Sequence, residues 1–481
     1  MAYTFPLEKF AKKKNYRWYI LSVVLIGAFM SALDLNLMYI INPTLQKVFH
    51  QPLYIVEWAS LAYQLTLTAL LPVIGRISDI KGRKKFYNTG FVIFIIGSGM
   101  VGVGLSMTWV IGWRVIQSIG AAFLQSNSIA IISANFPGNE RGRAIGIQGA
   151  VQAIGMSIGP SFGGFIVQNV GWNFAFYINV PVGIIGTILA LLILPESRTE
   201  GKKEKIDYIG ASLFTGFLII FLYNFSMSSQ SGYSPIQLYL LYAVFIILLI
   251  VFVIHGLRNE YCIIDFSLFR NLEYVTGNIT GLLSYLIIGA SLFMLPYYLE
   301  YVLNFKEMFA GTIIITVPVF MGIGTPLSGF IADKIGYYKP SVTGFFLIII
   351  GTVLLSFSSQ GSSILYILIS LSILGFGMGL FTAPNNSSVM SISPPGKLSL
   401  VGGFLNMMRS LGNIFGIAIA TFIFELYAHE SVIGKTVQKS LIFIGYHNVM
   451  MAMFVISIIG FVLTLVRRTS GKGRIIHLPE V

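Results

Sequence analysis

Three charged side chains, Asp34, Arg114 and Arg409, fall deep inside long apolar runs of this sequence. A charge at the centre of a bilayer costs about 2.5–3.5 kcal/mol on insertion scales, so such a group faces a cavity or a partner, or is neutralised. Asp34 is the one acidic residue placed so deeply, which makes it a candidate proton carrier. Its depth follows from spacing. Asp34 lies sixteen residues beyond Trp18, roughly 24 Å along a helix. Arg114 enters from the opposite side, five residues past Trp109, roughly 8 Å in. The two are therefore expected at a shared depth, either as a proton-coupling pair or as a static ion pair. Arg409, eleven residues beyond Leu398, is expected buried near mid-membrane, as a substrate contact or a structural group.

The elements that position these residues follow from composition. The chain has 481 residues, of which 55% are hydrophobic and 10% charged, and a mean hydropathy of +0.80. A water-soluble fold cannot hide that much apolar surface. Runs of roughly 20 apolar residues are long enough to span a bilayer as helices. They occur near 18–41, 53–74, 86–106, 109–133, 143–167, 172–194, 206–227, 237–257, 273–298, 309–331, 341–358, 363–390, 400–426 and 442–466. The predicted fold class is thus an all-α integral membrane protein of 14 spans. With both termini on the cytoplasmic side, 25 of the 31 lysines and arginines fall inside and four outside, the asymmetry of the positive-inside rule. That accounts for the net charge of +13 without nucleic acid. The basic N-terminal stretch leads into a run too long for a signal peptide and is read as an uncleaved first span.

The break "GRISDIKGRKKFY" at 75–87 concentrates Gly75, Asp79, Gly82 and Arg83 between two spans. Its core "GRISDIKG" returns as "GFIADKIG" at 329–336, with Gly75 matching Gly329, Asp79 matching Asp333 and Gly82 matching Gly336. A looser echo links "FPGNERGRAIG" at 136–146 with "SPPGKLSLVGG" at 393–403. Both pairs occupy equivalent cytoplasmic loops. The predicted organisation is a six-helix half over 1–200, a cytoplasmic linker with two extra helices over 201–270, and a second six-helix half over 271–481. Parallel halves of this kind are a transporter architecture. Gly75 and Gly82 would permit close approach and a tight turn. Asp79 would pair with Arg83 or with a helix N-terminus in one arrangement of the halves only, biasing which face is closed. The plainer alternative is a solvated basic loop. In "GMSIGPSFGG" at 155–164, Gly155, Gly159, Gly163 and Gly164 are expected on one helix face for close packing, with Pro160 as a kink. Asn36, Gln64, Gln117, Gln125, Asn127, Asn385, Asn386 and Asn406 are expected to line a polar cavity with Arg409, although each alone more often bonds helix to helix. Glu57, Glu273, Glu300, Glu425, His255 and His447 sit near span ends and are expected to reach water.

These stretches resemble the major facilitator superfamily. "GRISDIKGRKK" resembles its loop after the second helix, and "WRVIQSIGAA" at 113–122 its fourth-helix arginine motif. "GMSIGPSFGG" matches the fifth-helix G-x-x-x-G-P-x-x-G-G motif of its drug antiporters. "LDLNLMYIINPTL" at 33–45 and "LNMMRSLGNIFG" at 405–416 are similar to the acidic first-helix and arginine thirteenth-helix segments of the fourteen-span drug:proton branch. The chain departs from that pattern at Ile80, at Asn36, and in "NIFGIAIATF", which lacks Gly-Pro. The resemblance implies the major facilitator fold, two six-helix halves plus two inserted helices, in the cell membrane. It implies proton-driven export of small hydrophobic or cationic organic compounds by alternating access. In it Asp34 and Arg114 couple protons, the 75–85 loop gates, and residues 155–164 seal the boundary between halves.

Other classes are weighed against this one. A symporter or uniporter for a small nutrient keeps the fold and reverses the direction. A transporter-like receptor would carry a long soluble effector domain, which both short tails lack. No phosphate-cradling loop and no nucleophile constellation is visible. The single cysteine, Cys262, and five scattered histidines form no metal site. No cofactor and no enzymatic activity are expected. The expected partners are a small organic substrate, protons and the lipid bilayer, with a monomer sufficient.

Overall fold

The computed structural model describes residues 16–136, 138–195, 207–227, 235–259, 266–392, 398–428 and 439–470. Each predicted apolar run coincides with a helix, because a backbone surrounded by apolar side chains and lipid has only its own carbonyls to bond. The helices are α1 (Tyr16–Phe49), α2 (Trp58–Lys81, led in by the turn Leu53–Val56), α3 (Arg83–Val103), α4 (Met107–Asn135), α5 (Gly138–Asn169) and α6 (Asn179–Ile193, led in by Phe174–Tyr177). Then come α7 (Tyr208–Met227), α8 (Pro235–Arg258) and α9 (Leu272–Tyr297), which continues as a π-helical turn over Tyr298–Val302. The chain continues with α10 (Glu307–Ile314, then Thr316–Ile335), α11 (Tyr338–Ser356), α12 (Ile364–Ser391), α13 (Leu398–Ala428) and α14 (Lys439–Ser470). Twelve of these helices, all but α2 and α7, are long and apolar enough to cross a membrane. The linker 196–206, Cys262 and residues 393–397 of the looser echo lie outside the described residues.

Two compact units partition the chain. The first comprises Met1–Ile263, Leu295–Ile315 and Thr421–Ile442; the second comprises Ile264–Met294, Thr316–Ala420 and Phe443–Val481. Inside the first, α7 joins α8 through Phe214, Phe217, Phe221, Phe245 and Phe252, and meets α2 where Tyr223 packs on Trp58. The outer face of α8 bears Ile246, Ile247, Ile250, Val251 and Ile254, all exposed, as lipid contact requires.

The repeat has a backbone cause. Gly82 (φ 102°) ends α2 and Gly336 (φ 83°) ends α10, a conformation that a side chain strongly disfavours. Gly75 does not fill the role expected of it. It lies within α2 with only Ser126 Cβ near, 3.8 Å from an added Cβ, and its counterpart Gly329 has open space. Among the described residues, neither makes a close approach in this conformation. The close approach is deeper, and it repeats with the same spacing. Gly90 and Gly97 of α3 stand 254 residues before Gly344 and Gly351 of α11. A Cβ at Gly97 would lie 2.6 Å from the Gln117 backbone on α4, and one at Gly351 would lie 2.8 Å from Leu374 Cα on α12. Polar contacts echo this arrangement. Ser98 Oγ accepts from Asn179 on α6 at 3.0 Å, and Thr352 bonds Ser457 on α14 at 3.2 Å.

The packing predicts opposite signs for one substitution at two glycines. Gly97→Ala forces backbones apart and should lower stability by about 1–3 kcal/mol. Gly112→Ala, where an added Cβ meets nothing within 4 Å, should raise it by up to about 1 kcal/mol through helix propensity. Thermal unfolding of the detergent-purified variants reads both; equal shifts would refute the packing account.

Candidate functional site

Asp34 and Arg114 meet in the interior of the first unit, both with 0% exposure. Arg114 Nη1 donates to Asp34 Oδ2 at 2.5 Å and to Gln117 Oε1 at 2.8 Å; Nε donates to the Ala59 carbonyl of α2 at 3.0 Å. Gln117 stands one turn after Arg114 on the same face of α4, so its amide bridges the pair: Nε2 donates to Asp34 Oδ1 at 2.8 Å. Asn179 of α6 donates to the same oxygen at 3.0 Å. The guanidinium lies over the Tyr63 ring, 4.1 Å from its centroid, a cation–π contact. Nη2 of Arg114 makes no hydrogen bond.

Every polar neighbour of Asp34 is thus a donor. Three charge-assisted or amide donors satisfy an ionised carboxylate. A protonated carboxyl would have to give one of them up. Four helices, α1, α2, α4 and α6, supply the members of this network, with Ser98 of α3 bonding Asn179 behind it. The depth arithmetic had paired Asp34 with Arg114; Gln117, Asn179 and the Tyr63 ring were not anticipated in this role. A polar residue one turn from Arg114 was the available signal for Gln117.

The small-residue run packs on two neighbours, which corrects the single face expected. Added Cβ atoms at Gly155 and Gly159 would lie 3.0 Å from Phe29 O and Asn36 Cβ of α1, and one at Gly163 would lie 2.6 Å from Leu37. Gly164, turned 100° further round the helix, instead faces the first segment of α10, where its Cβ would clash with Glu307 O. Gly311 of that segment in turn sits against the Pro160 carbonyl, and Ser161 Oγ bonds Thr312 at 3.2 Å.

The expected cavity residues separate. Asn36 is buried and bonded to Ala32 O of its own helix. Asn127 is buried and bonded to Phe123 O, and Gln64 is buried. With Gln117 in the carboxylate network, none of these presents its amide to an open space in this conformation. In the second unit Asn385, Asn386 and Arg409 line a narrow cleft with Tyr285, Asn278 and Phe381. Arg409 is not buried as expected; it is half-exposed, donates to exposed Asn406 at 3.2 Å, and lies 5.4 Å from the Tyr285 ring centroid. Arg83 donates to the Ala130 carbonyl of α4 at 3.2 Å, while the side chains of Asp79 and Asp333 lie outside the described residues.

Several span-end residues are misread by position alone. Arg467, counted with the cytoplasmic tail, is 8% exposed. It donates to Asn385 Oδ1 at 2.7 Å and to Ser388 Oγ at 2.5 Å, and Ser388 donates to Glu273 at 2.7 Å. Arg467 therefore holds one wall of the cleft. Glu57, Glu300 and Glu425, expected to reach water, are all buried, because the segments 53–56, 298–302 and 307–314 fold across that end of the first unit. His255 is half-buried and paired with Asp207 at 2.7 Å, whose carboxylate caps α7 at Gly210 N.

Such a fold and site define a polytopic helical membrane transporter. The chain belongs to the Major Facilitator Superfamily, whose family model matches residues 24–258 and 278–480. It is 34% identical over 411 residues to the riboflavin transporter RibZ of Clostridioides difficile (strain 630), covering 85% of this chain and 88% of that one. It is 27% identical over 412 residues to the multidrug transporter protein MdtP of Bacillus subtilis (strain 168), covering 85% and 75%. The multidrug resistance protein Stp of Mycobacterium tuberculosis (strain ATCC 25618 / H37Rv) is 27% identical over 395 residues, covering 82% and 73%. The fold matches a bacterial homolog of the human lysosomal transporter Spinster in its inward-facing, occupied conformation, with a TM-score of 0.71 at 14% identity, covering 95% and 98%. The family and these relatives are transporters, not enzymes, so the chain is a multi-pass membrane protein that acts on a small molecule.

The buried pair has a measurable coupling. Arg114→Leu leaves a buried carboxylate without its counter-charge and should cost about 3–5 kcal/mol. Adding Asp34→Asn removes that charge, so the double variant should be more stable than Arg114→Leu alone. Thermal unfolding in detergent completes the cycle; a double variant that loses the sum of the single losses would mean no coupling.

Proposed function

We propose that the chain is a fourteen-span, proton-coupled secondary transporter that exports small hydrophobic or cationic organic compounds by alternating access. The fully buried Asp34–Arg114 pair carries this reading: its donor-only shell ties proton binding to rearrangement of four helices. α2 and α7 complete the fourteen spans, with both termini cytoplasmic in the cell membrane, two halves over 1–200 and 271–481, and the inserted helices between them. A monomer suffices. Asp34 exchanges the proton, Arg114 tunes it by pairing with the ionised carboxylate, the 75–85 loop with Asp79 and Asp333 gates the cytoplasmic side, and the 155–164 run keeps α5 sealed on its neighbours. The multidrug transporters among the relatives support export.

A second reading concerns substrate and direction. The cleft of the second unit, closed to about 10 Å³ in this conformation, offers a cation, two aromatic rings and several amides, and no carboxylate is among its described lining residues. That chemistry suits a flat heteroaromatic with hydrogen-bonding groups better than a lipophilic cation, which calls for a carboxylate or an aromatic cage. Together with the 34% identity to a riboflavin transporter, it favours uptake of a flavin-like nutrient.

One experiment separates the readings. Proteoliposomes carrying the parent or Asp34→Asn are given a pH gradient and either a panel of lipophilic cations or riboflavin. The export reading expects cation movement opposite to protons, lost by at least about ten-fold in Asp34→Asn at unchanged membrane content. Riboflavin movement without cation movement selects the second reading. Gradient-driven transport undiminished in Asp34→Asn refutes the coupling role of that residue.

A further inference from the structure

Glu300 is a buried carboxylate that neither reading uses. It sits in the π-helical turn Tyr298–Val302 that ends α9, and π turns inside helices frequently mark functional sites. It is 9% exposed, and neither of its carboxylate oxygens has a hydrogen-bond partner. The charged and titratable groups around it come from every element packed there. Lys47 at the end of α1 and Glu307 at the start of α10 lie within electrostatic range of Glu300. The Lys47 ammonium is placed over the Tyr301 ring, 4.5 Å from its centroid. Tyr301 donates to the Pro43 carbonyl of α1 at 3.3 Å and stacks on Tyr297, centroids 6.1 Å apart. Tyr297 in turn lies within electrostatic range of Glu300, Glu57 before α2 and Glu425 on α13. Glu425 accepts from the Tyr54 backbone amide at 3.3 Å.

An ionised carboxylate that makes no hydrogen bond and is shut away from water, with Lys47 and the acid Glu307 as the charges in range, is disfavoured. The neutral acid tolerates the same surroundings. We infer that Glu300 is a second proton-binding site, and that this end of the first unit closes over it only when its carboxyl is protonated. With both termini cytoplasmic, as in the proposed topology on which this rests, that end faces the outside medium. A proton taken from outside by the Glu300 carboxylate then permits closure. Its loss to water leaves a charge that holds the end open, with Lys47, already exposed, as the nearby counter-charge. Nothing is oxidised or reduced; one O–H bond forms on closing and breaks on opening.

The test uses whole cells expressing the full chain with Cys262→Ser, which removes the one native cysteine, and Val302→Cys, a reporter in the π turn at a position 4% exposed. A membrane-impermeant maleimide is added outside across a range of external pH. Labelling is taken at each pH relative to a control carrying Val48→Cys, a position 48% exposed, which cancels the thiol's own ionisation; this relative labelling should rise roughly ten-fold between about pH 5.5 and about pH 8.5 as the end opens. Glu300→Gln should hold labelling at the acid level throughout, and Glu300→Asp should keep a rise with a displaced midpoint. A parent-like rise in Glu300→Gln overturns the proposal, as does labelling of the parent reporter that ignores pH. If Glu300→Gln fails to reach the membrane, an undisplaced midpoint in Glu300→Asp overturns it equally. The readout needs no substrate. Loss of proton-coupled transport in Asp34→Asn with the labelling profile intact separates the two sites, and a parent whose transport ignores protons sinks the coupling at Asp34 while labelling still decides Glu300.

Discussion

A carboxylate and a guanidinium sealed from water at the meeting point of four helices set the terms for the rest of this molecule. Neither charge is stable there alone, so α4 and α6 are held in register with α1 by the donors they aim at Asp34, with α2 joining through the Ala59 carbonyl and the Tyr63 ring. The desolvation cost of two buried ions is commonly repaid only when geometry is good and remaining lone pairs are filled. Here Gln117 and Asn179 fill those on Asp34. The arrangement is complete as an ion pair, with both Asp34 oxygens matched to donors.

Around that centre the two units share a construction rule. Glycines face backbone across α3–α4 and across α11–α12, and small hydroxyls and amides bond α3 to α6 and α11 to α14. The rule is visible because lipid does nothing to drive helices together, so association depends on close van der Waals approach and on interhelical hydrogen bonds. The α5 run applies the same principle to two partners at once, seating α5 on α1 and on the first segment of α10.

How much of this was readable beforehand follows from what each signal measures. Distance along a helix converts directly to depth, so Asp34 and Arg114 could be matched from opposite ends of their spans. Gly82 and Gly336 stood out because their loops are short and polar, where a repeat is conspicuous. Gly90 and Gly344, at the same offset, were hidden in apolar runs where a glycine is unremarkable and only a facing backbone gives it meaning. Arg467 and Glu300 escaped for a different reason. A charge at the end of an apolar run ordinarily reaches water, and only the tertiary arrangement reveals a neighbouring segment folded across it. Helix rotation misled in one place, where Gly164 follows Gly163 in sequence but meets another helix.

The bare outer face of α8 has an evolutionary consequence. Its column of isoleucines and valines answers only to fluid hydrocarbon, which does not distinguish one branched alkyl group from another of similar size. Drift among leucine, isoleucine, valine and phenylalanine there should be close to free, whereas the same exchanges on α3 meet a rigid partner. The outer face of α8 is thus a place where this lineage can accumulate neutral variation without disturbing the charges at the centre.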